Sequence, residues 1–307
     1  MKIINLNTTF GNAYSPVTLV ISDFDGMHKG HQRLLQEANS LCEEDGTIVA
    51  VPLPIDKKEK VITPELTRNK LLQQYGVSKL FQLSKEQVIS IKDLLTLTIN
   101  NLTVERIIID ENSSIDNQQL TKSRDFINFT QEKQIEVISL PPLQINQQRL
   151  TTKLIKQLLA SGQVEQAQAL LGRPYVVIGH VIHGEKLGRK LGFPTINLGE
   201  IQAYVIPKPG VYFGLVGIQQ DEYTLEYWNV LISAGYRPTV AGKDYLIEAH
   251  LLGFTGDLYD KQVNLSFLHF MREEENFSDL DALIKQMELD KRNGERLANL
   301  VTHPKNE

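Results

Sequence analysis

The sequence predicts two domains of different architecture: a parallel α/β sheet over residues 1–171 and a β-rich domain closed by a helix over residues 172–307. Three observations carry this. In the first part, short apolar runs alternate with segments of helical periodicity, the pattern of strands joined by crossover helices. Gly and aromatic residues gather in the second part, with 14 of 20 Gly and 15 of 22 Phe, Tyr and Trp lying after residue 171. Tight turns need Gly, and pleated sheets favour aromatic and β-branched side chains. The length of 307 residues also exceeds the roughly 100–200 residues of an ordinary domain.

Taken in order, Val17–Ser22 is a short apolar run suited to a buried strand. Residues 31–42 carry Leu34, Leu35, Ala38 and Leu41 at helical spacing. Residues 47–51 form a second apolar strand, 63–75 a helix, 79–83 a strand, 91–101 a helix, 106–110 a strand and 136–140 another. The stretch 112–149 is rich in Asn and Gln and poor in aromatics, so parts of it are expected to be surface segment. Leu154, Ile155, Leu158 and Leu159 share one stripe of a helix over 151–162 that Gly162 ends. A short helix, Val164–Leu171, precedes Gly172, where the domain boundary is expected. Strands then follow at 176–180, 211–218, 228–233, 244–252 and 262–269, with turn signals between them. That pattern suits a small barrel or a sandwich. Ser278, three residues before Asp281, resembles a capping box. Leu280, Leu283, Ile284 and Met287 then make one apolar helix face.

Composition narrows the class of protein. Lys+Arg 32 against Asp+Glu 37 leaves a net charge of −5, and no Lys/Arg run supplies the basic patch that nucleic-acid binding requires. The single cysteine, Cys42, allows no intrachain disulfide and suits a reducing compartment. The N-terminal residues lack the apolar core of a signal peptide. No apolar run approaches the roughly 18 residues of a membrane span. A cytoplasmic protein is expected, and no pattern specifies an oligomeric state.

Three constellations carry chemistry. Asp23-Phe24-Asp25-Gly26-Met27-His28-Lys29-Gly30-His31 lies between a predicted strand and a predicted helix. An open α/β sheet presents ligands at such a turn, and a helix N-terminus favours anions. His28 and His31 can donate to phosphate oxygens, with Gly30 allowing close backbone approach; the plain alternative is two histidines in a polar turn. Second, Gly179, Gly184, Gly188 and Gly192 recur with Lys186, Arg189 and Lys190 among them. Such a loop can turn N–H groups and cations toward a polyphosphate. Thr195 and Asn197 follow Pro194 and supply hard oxygens suited to Mg²⁺ shared with phosphates; the alternative is a Gly-rich turn with only local hydrogen bonds. Third, period-2 alternation puts Leu246, Glu248, His250 and Leu252 on one strand face. Glu248 there is either an exposed charge or a base for an alcohol attacking a phosphoryl group.

Together these residues resemble the bacterial bifunctional riboflavin kinase and FMN adenylyltransferase family, often called FAD synthetase. The resemblance covers nearly the whole chain and is closest after residue 170. It rests on LLGRPY at 170–175, GRKLGFPTINL at 188–198, PKPGVY at 207–212, GYRPT at 235–239, IEAHL at 247–251, GDLYDK at 256–261, REE at 272–274 and Phe277. It implies a Rossmann-like nucleotidyltransferase domain and a six-stranded β-barrel kinase domain with a terminal helix. It implies that Gly184, Gly188, Arg189, Thr195 and Asn197 bind ATP, that Thr195 and Asn197 hold Mg²⁺, and that Glu248 is the base for the riboflavin 5′-hydroxyl. Arg272 and Glu274 would lie near the flavin, and His28, Gly30, His31 and Lys156 would bind nucleotide in the first domain. FMN and FAD are the implied products, and riboflavin, FMN and ATP the implied partners.

Departures from the family pattern are concentrated in the first domain. Ser22-Asp23 stands for Gly-Asn, Val51–Asp56 lacks the usual F-D-P-H-P, and Glu111–Ile115 lacks the Gly, Phe and Arg of the next loop. Lys156 stands for Arg, losing a bidentate fork. In the second domain Ile196 replaces Ala, and Ser233-Ala234-Gly235 replaces Asn-Ile-Gly. Two alternatives therefore stay open: a kinase with a degenerate first domain, and a flavin- or nucleotide-binding regulator without catalysis.

Overall fold

The structure, a computed structural model, describes residues 1–4, 16–56, 58–83, 90–99, 102–115, 118–145, 147–184, 188, 191–221, 224–239 and 242–301. The chain divides into two compact units, Met1–Leu154 and Ile155–Glu307.

The first unit runs β1 (Lys2–Ile4), β2 (Val17–Ser22), a 3₁₀ turn at Asp25–Met27, α1 (Lys29–Leu41), β3 (Thr47–Pro52), α2 (Glu65–Gln74), β4 (Lys79–Phe81), α3 (Ile91–Ile99) and β5 (Val104–Asp110). The two-residue strands β6 (Ser114–Ile115) and β7 (Gln118–Gln119) come next, then α4 (Arg124–Glu132), β8 (Glu136–Leu140), β9 (Gln144–Ile145) and β10 (Gln148–Arg149). Six strands form one parallel sheet in the order β1-β4-β3-β2-β5-β8. Every residue of β2 is buried, as expected of a central strand covered on both faces. Leu19 and Ile21 pack with Leu94 and Leu95 of α3, whereas Val20 packs with Leu34, Leu35 and Ala38 of α1. Each such Val, Leu or Ile side chain contributes about 1.5–3 kcal/mol. Chain order reverses between β2 and β5, which is where open α/β sheets bind ligands.

The Asn- and Gln-rich stretch is more ordered than its composition predicts. There α4 buries Phe126 and Thr130, and β8 adds the edge strand. The predicted strand 79–83 is realised over Lys79–Phe81. The end of the helix predicted over 91–101 lies outside the described residues.

α5 (Thr152–Ala160) begins in the first unit and continues into the second, where α6 (Val164–Leu171) follows. Gly162 and Gly172 end these turns with φ of 82° and 76°. Then come β11 (Tyr175–Ile182), β12 (Ile196–Leu198), β13 (Gly210–Gln219), β14 (Leu225–Thr239), β15 (Gly242–Leu251), β16 (Gln262–Arg272) and α7 (Leu280–Ala298). The six strands close into an antiparallel barrel in the order β11-β12-β15-β14-β13-β16. Closure settles the choice between barrel and sandwich. Tyr175, Tyr212 and Phe267 fill the interior with ring centroids 5.1–5.9 Å apart. α5 and α6 both bond to the barrel domain: Leu159 O of α5 accepts from the Lys208 N–H at 3.0 Å, and Glu165 of α6 from the Phe270 N–H at 3.2 Å. The cap of α7 differs from expectation. Asp279, rather than Ser278, accepts the Ala282 N–H at 2.8 Å, and Ser278 donates to Asp279. Leu280 is exposed, so the buried face of α7 starts later than predicted.

Candidate active sites

On the barrel wall, β12 is a three-residue strand beside β15. Asn197 is the register partner of Glu248 across β12–β15, and Ser233 is its partner across β14–β15. Register partners project to the same face, so Asn197, Glu248 and Ser233 form a row. Ile247 and Ala249 are buried in the interior, which leaves Glu248 half-buried on the outer face, as the alternation predicts. Thr195 Oγ1 stands 3.5 Å from Glu248 Oε2. The sequence elements that looked separate, FPTIN and IEAHL, thus meet at one place.

Glycine is required beside this row. A Cβ on Gly184 would come within 2.7 Å of Asn197 Cγ, and one on Gly188 would meet the Phe193 carbonyl oxygen. The Phe193 N–H donates to Gly188 O at 2.8 Å, which closes the turn. Arg189, together with Lys186 and Lys190, lies outside the described residues.

Arg272 ends β16 with its guanidinium engaged. Nε and Nη2 donate to Asp290 of α7 at 2.7–3.1 Å, and Nη1 donates to Glu273 O at 2.9 Å. Glu274 accepts from Arg237 Nη1 at 2.7 Å and lies against Gly235. Arg237 Nη2 is 3.5 Å from Ser233 Oγ, so the Glu274–Arg237 pair reaches the strand row that contains Glu248. Sequence reasoning did not single out Arg237, Ser233 or Asp290 as functional; the first two lay inside a quoted motif or its departure, whereas Asp290 carried no signal.

In the first unit, β2 delivers the histidine motif to the carboxyl end of the sheet. His28 caps α1, its Nδ1 accepting the His31 N–H at 3.3 Å. Gly30 sits in the first turn of that helix. The rings of His28 and His31 are buried and stacked, with centroids 3.7 Å apart and planes at 15°. Asp23 Oδ1 accepts the Asp25 N–H at 2.9 Å and lies 3.3 Å from His31 Nε2. Withdrawal from bulk water pushes the Asp23 carboxyl up, but the hydrogen bond and charge of His31, the Asp25 N–H and His28 outweigh it and hold it below the usual range. Asp25 is buried and accepts from the Ile62 and Thr63 N–H groups at 2.7 and 3.0 Å, tying the loop after β3 to the motif. Asp110 ends β5; burial raises its pKa, with Asp23 and Glu111 adding to the rise and the Asn112 N–H and His31 opposing it. Thr152 Oγ1 donates to Asp25 O at 3.4 Å. Lys156 lies on α5, in the second unit.

The fold and these sites define a two-module protein, a nucleotidyltransferase-like parallel sheet and a riboflavin kinase-like barrel. Residues 12–154 match the family model for FAD synthetase, and residues 171–298 match the one for riboflavin kinase. The bifunctional riboflavin kinase/FMN adenylyltransferase of Pseudomonas fluorescens is 30% identical over 279 residues, covering 86% of this chain and 87% of that protein. The protein of the same description from Bacillus subtilis is 29% identical over 289 residues, covering 89% and 90%. A crystal structure described as a macrolide-efflux protein from Streptococcus pneumoniae superposes with a TM-score of 0.82 at 25% identity, over 96% of this chain and 99% of that one. Among the described residues here, no helix is long and apolar enough to cross a membrane. The chain belongs to the bifunctional riboflavin kinase/FMN adenylyltransferase family.

Proposed function

We propose that this chain phosphorylates riboflavin to FMN with ATP in its barrel and adenylylates FMN to FAD, with release of pyrophosphate, in its α/β unit. The observation that carries the kinase reading is the meeting of Thr195, Asn197 and Glu248 on one barrel face. Glu248 accepts the proton of the ribityl 5′-hydroxyl as that oxygen bonds to the γ-phosphorus and the bond to ADP breaks. A positioned base of this kind contributes about 10²–10⁴-fold. The hydroxyl and amide oxygens of Thr195 and Asn197, beside one carboxylate, fit a hard cation shared with phosphates. Mg²⁺ bound there with ATP would offset charge on the phosphates. Gly184 and Gly188 keep the loop close to the nucleotide, and Arg189 is assigned to its phosphates. Arg272, held by Asp290, and Glu274, held by Arg237, are assigned to the flavin side.

In the α/β unit, His28, Gly30 and His31 are assigned to the ATP phosphates. Adenylyl transfer needs mainly placement and charge stabilisation. The adenylyltransferase domain is assigned to residues 1–171 and the kinase domain to 172–307, working in the cytoplasm. A second reading, a kinase whose first domain has lost its chemistry, is favoured by one feature. Asp23 and Asp110 bring negative charge to His31 where a triphosphate is assigned. The kinase reading is tested by incubating the full chain with γ-labelled ATP, Mg²⁺ and riboflavin. Label is expected in FMN; ATP consumption without labelled flavin would contradict it.

A further inference from the structure

β12 contributes only three residues to the barrel and pairs at two positions on each side: Ile196 with Ala249 and Asn197 with Glu248 of β15, and Asn197 with Ile182 and Leu198 with Val181 of β11. Such a short strand is weakly located by its ladder alone. The turn before it has a proline, which fixes φ but offers no N–H. On the far side of that proline, Phe193 is tied back to Gly188. Beside the long Thr195–Glu248 contact, a second side chain of β15 ties the turn to that strand. His250 Nδ1 lies 2.8 Å from Pro194 O, and a carbonyl only accepts, so Nδ1 carries the proton and donates. The His250 ring also meets Phe193 edge-on, with centroids 5.6 Å apart and planes at 66°. His250 stands on the same strand face as Glu248, two residues away.

We propose that His250 is a positioning residue for phosphoryl transfer, extending the β12–β15 pairing by one side-chain bond so that Thr195 and Asn197 are held against Glu248. The inference rests on the kinase reading above. Burial lowers the His250 pKa, and Lys291 of α7 acts in the same direction, together outweighing the Pro194 bond, which raises it. Both effects favour the neutral ring, whose one proton the Pro194 bond places on Nδ1. Misplacing reacting groups by about 1 Å costs on the order of 10²-fold in rate, so a lost tie is expected in kcat rather than in flavin affinity.

The test uses three variants of the full chain and a spectrum. The side-chain nitrogen of asparagine occupies the place of Nδ1, whereas that of glutamine occupies the place of Nε2. His250→Asn is expected to keep kcat for FMN formation within about 3-fold, and His250→Gln and His250→Ala to lose on the order of 10–100-fold, with the riboflavin KM largely kept. Melting curves identify any variant that does not fold, and the Asn/Gln contrast decides the matter if Ala fails. Nitrogen-15 spectra of the unsubstituted chain are expected to show the Nδ1-protonated tautomer. Asn as damaged as Gln, Gln as active as the unsubstituted chain, or an Nε2-protonated ring would overturn the proposal. An unsubstituted chain that makes no FMN would instead overturn the kinase reading, while the tautomer would still report on the Pro194 bond.

Discussion

A carboxylate in the middle of a β-strand costs stability unless it meets water, a partner or a substrate. Glu248 was legible for that reason: period-2 alternation exposes it, and the structure lines it up with Asn197 and Ser233. Glu248→Gln is expected to lower kinase kcat by about 10²–10⁴-fold with flavin binding retained; steady-state kinetics alongside a riboflavin titration check this. Gly184→Ala would press a methyl group on the Asn197 amide, so weaker nucleotide binding is expected, read as a raised KM for ATP. Two carboxylates of the first unit should respond to pH in opposite senses. The raised pKa of Asp110 means the folded chain holds this proton more tightly than the unfolded chain. Stability is then lost as pH rises above the ordinary Asp range. The lowered pKa of Asp23 means a contribution present at neutral pH and lost as pH falls through the folded value. At neutral pH, Asp110→Asn is expected to raise the melting temperature and Asp23→Asn to lower it, with both differences shrinking in acid. These shifts were not legible in the sequence, because they arise where the ends of β2 and β5 meet.

Local pattern served the elements well where one principle dominated. Val17–Ser22 is an unbroken apolar run because both faces are buried, and it is the central strand. It served badly where tertiary contacts decide. β12 is too short to have a period, and α4 hides two buried positions among Asn, Gln and charged residues. Besides its apolar contacts with Leu231 and Leu268, α7 is held by a pair no local pattern reveals, since Arg272 and Asp290 lie 18 residues apart. Their side chains are 18% and 7% exposed, and removing one partner of a largely buried pair costs about 3 kcal/mol or more. Asp290→Ala is therefore expected to lower the melting temperature markedly and to loosen Arg272. Chemical denaturation measures the first effect. The second is expected as a raised riboflavin KM.

At the scale of the molecule, the two architectures were legible in composition, because Gly-punctuated aromatic strands and apolar βα alternation solve burial differently. The edge between them is subtler. Every kinase residue proposed here lies after residue 171, yet the compact unit holding the barrel begins at Ile155, and α6 bonds to β16 through Glu165. A fragment beginning at Gly172 is expected to phosphorylate riboflavin but to melt lower than one beginning at Ile155, which keeps the Leu159–Lys208 bond. Equal melting would mean the two helices add nothing to the barrel. The most direct test of the account is a time course of the full chain with ATP and Mg²⁺, started from riboflavin and separately from FMN, with the flavins separated by chromatography. FMN followed by FAD in the first, and FAD in the second, is the predicted result. No FMN from riboflavin would contradict the account at its centre, and FMN without FAD in either would restrict the chemistry to the barrel.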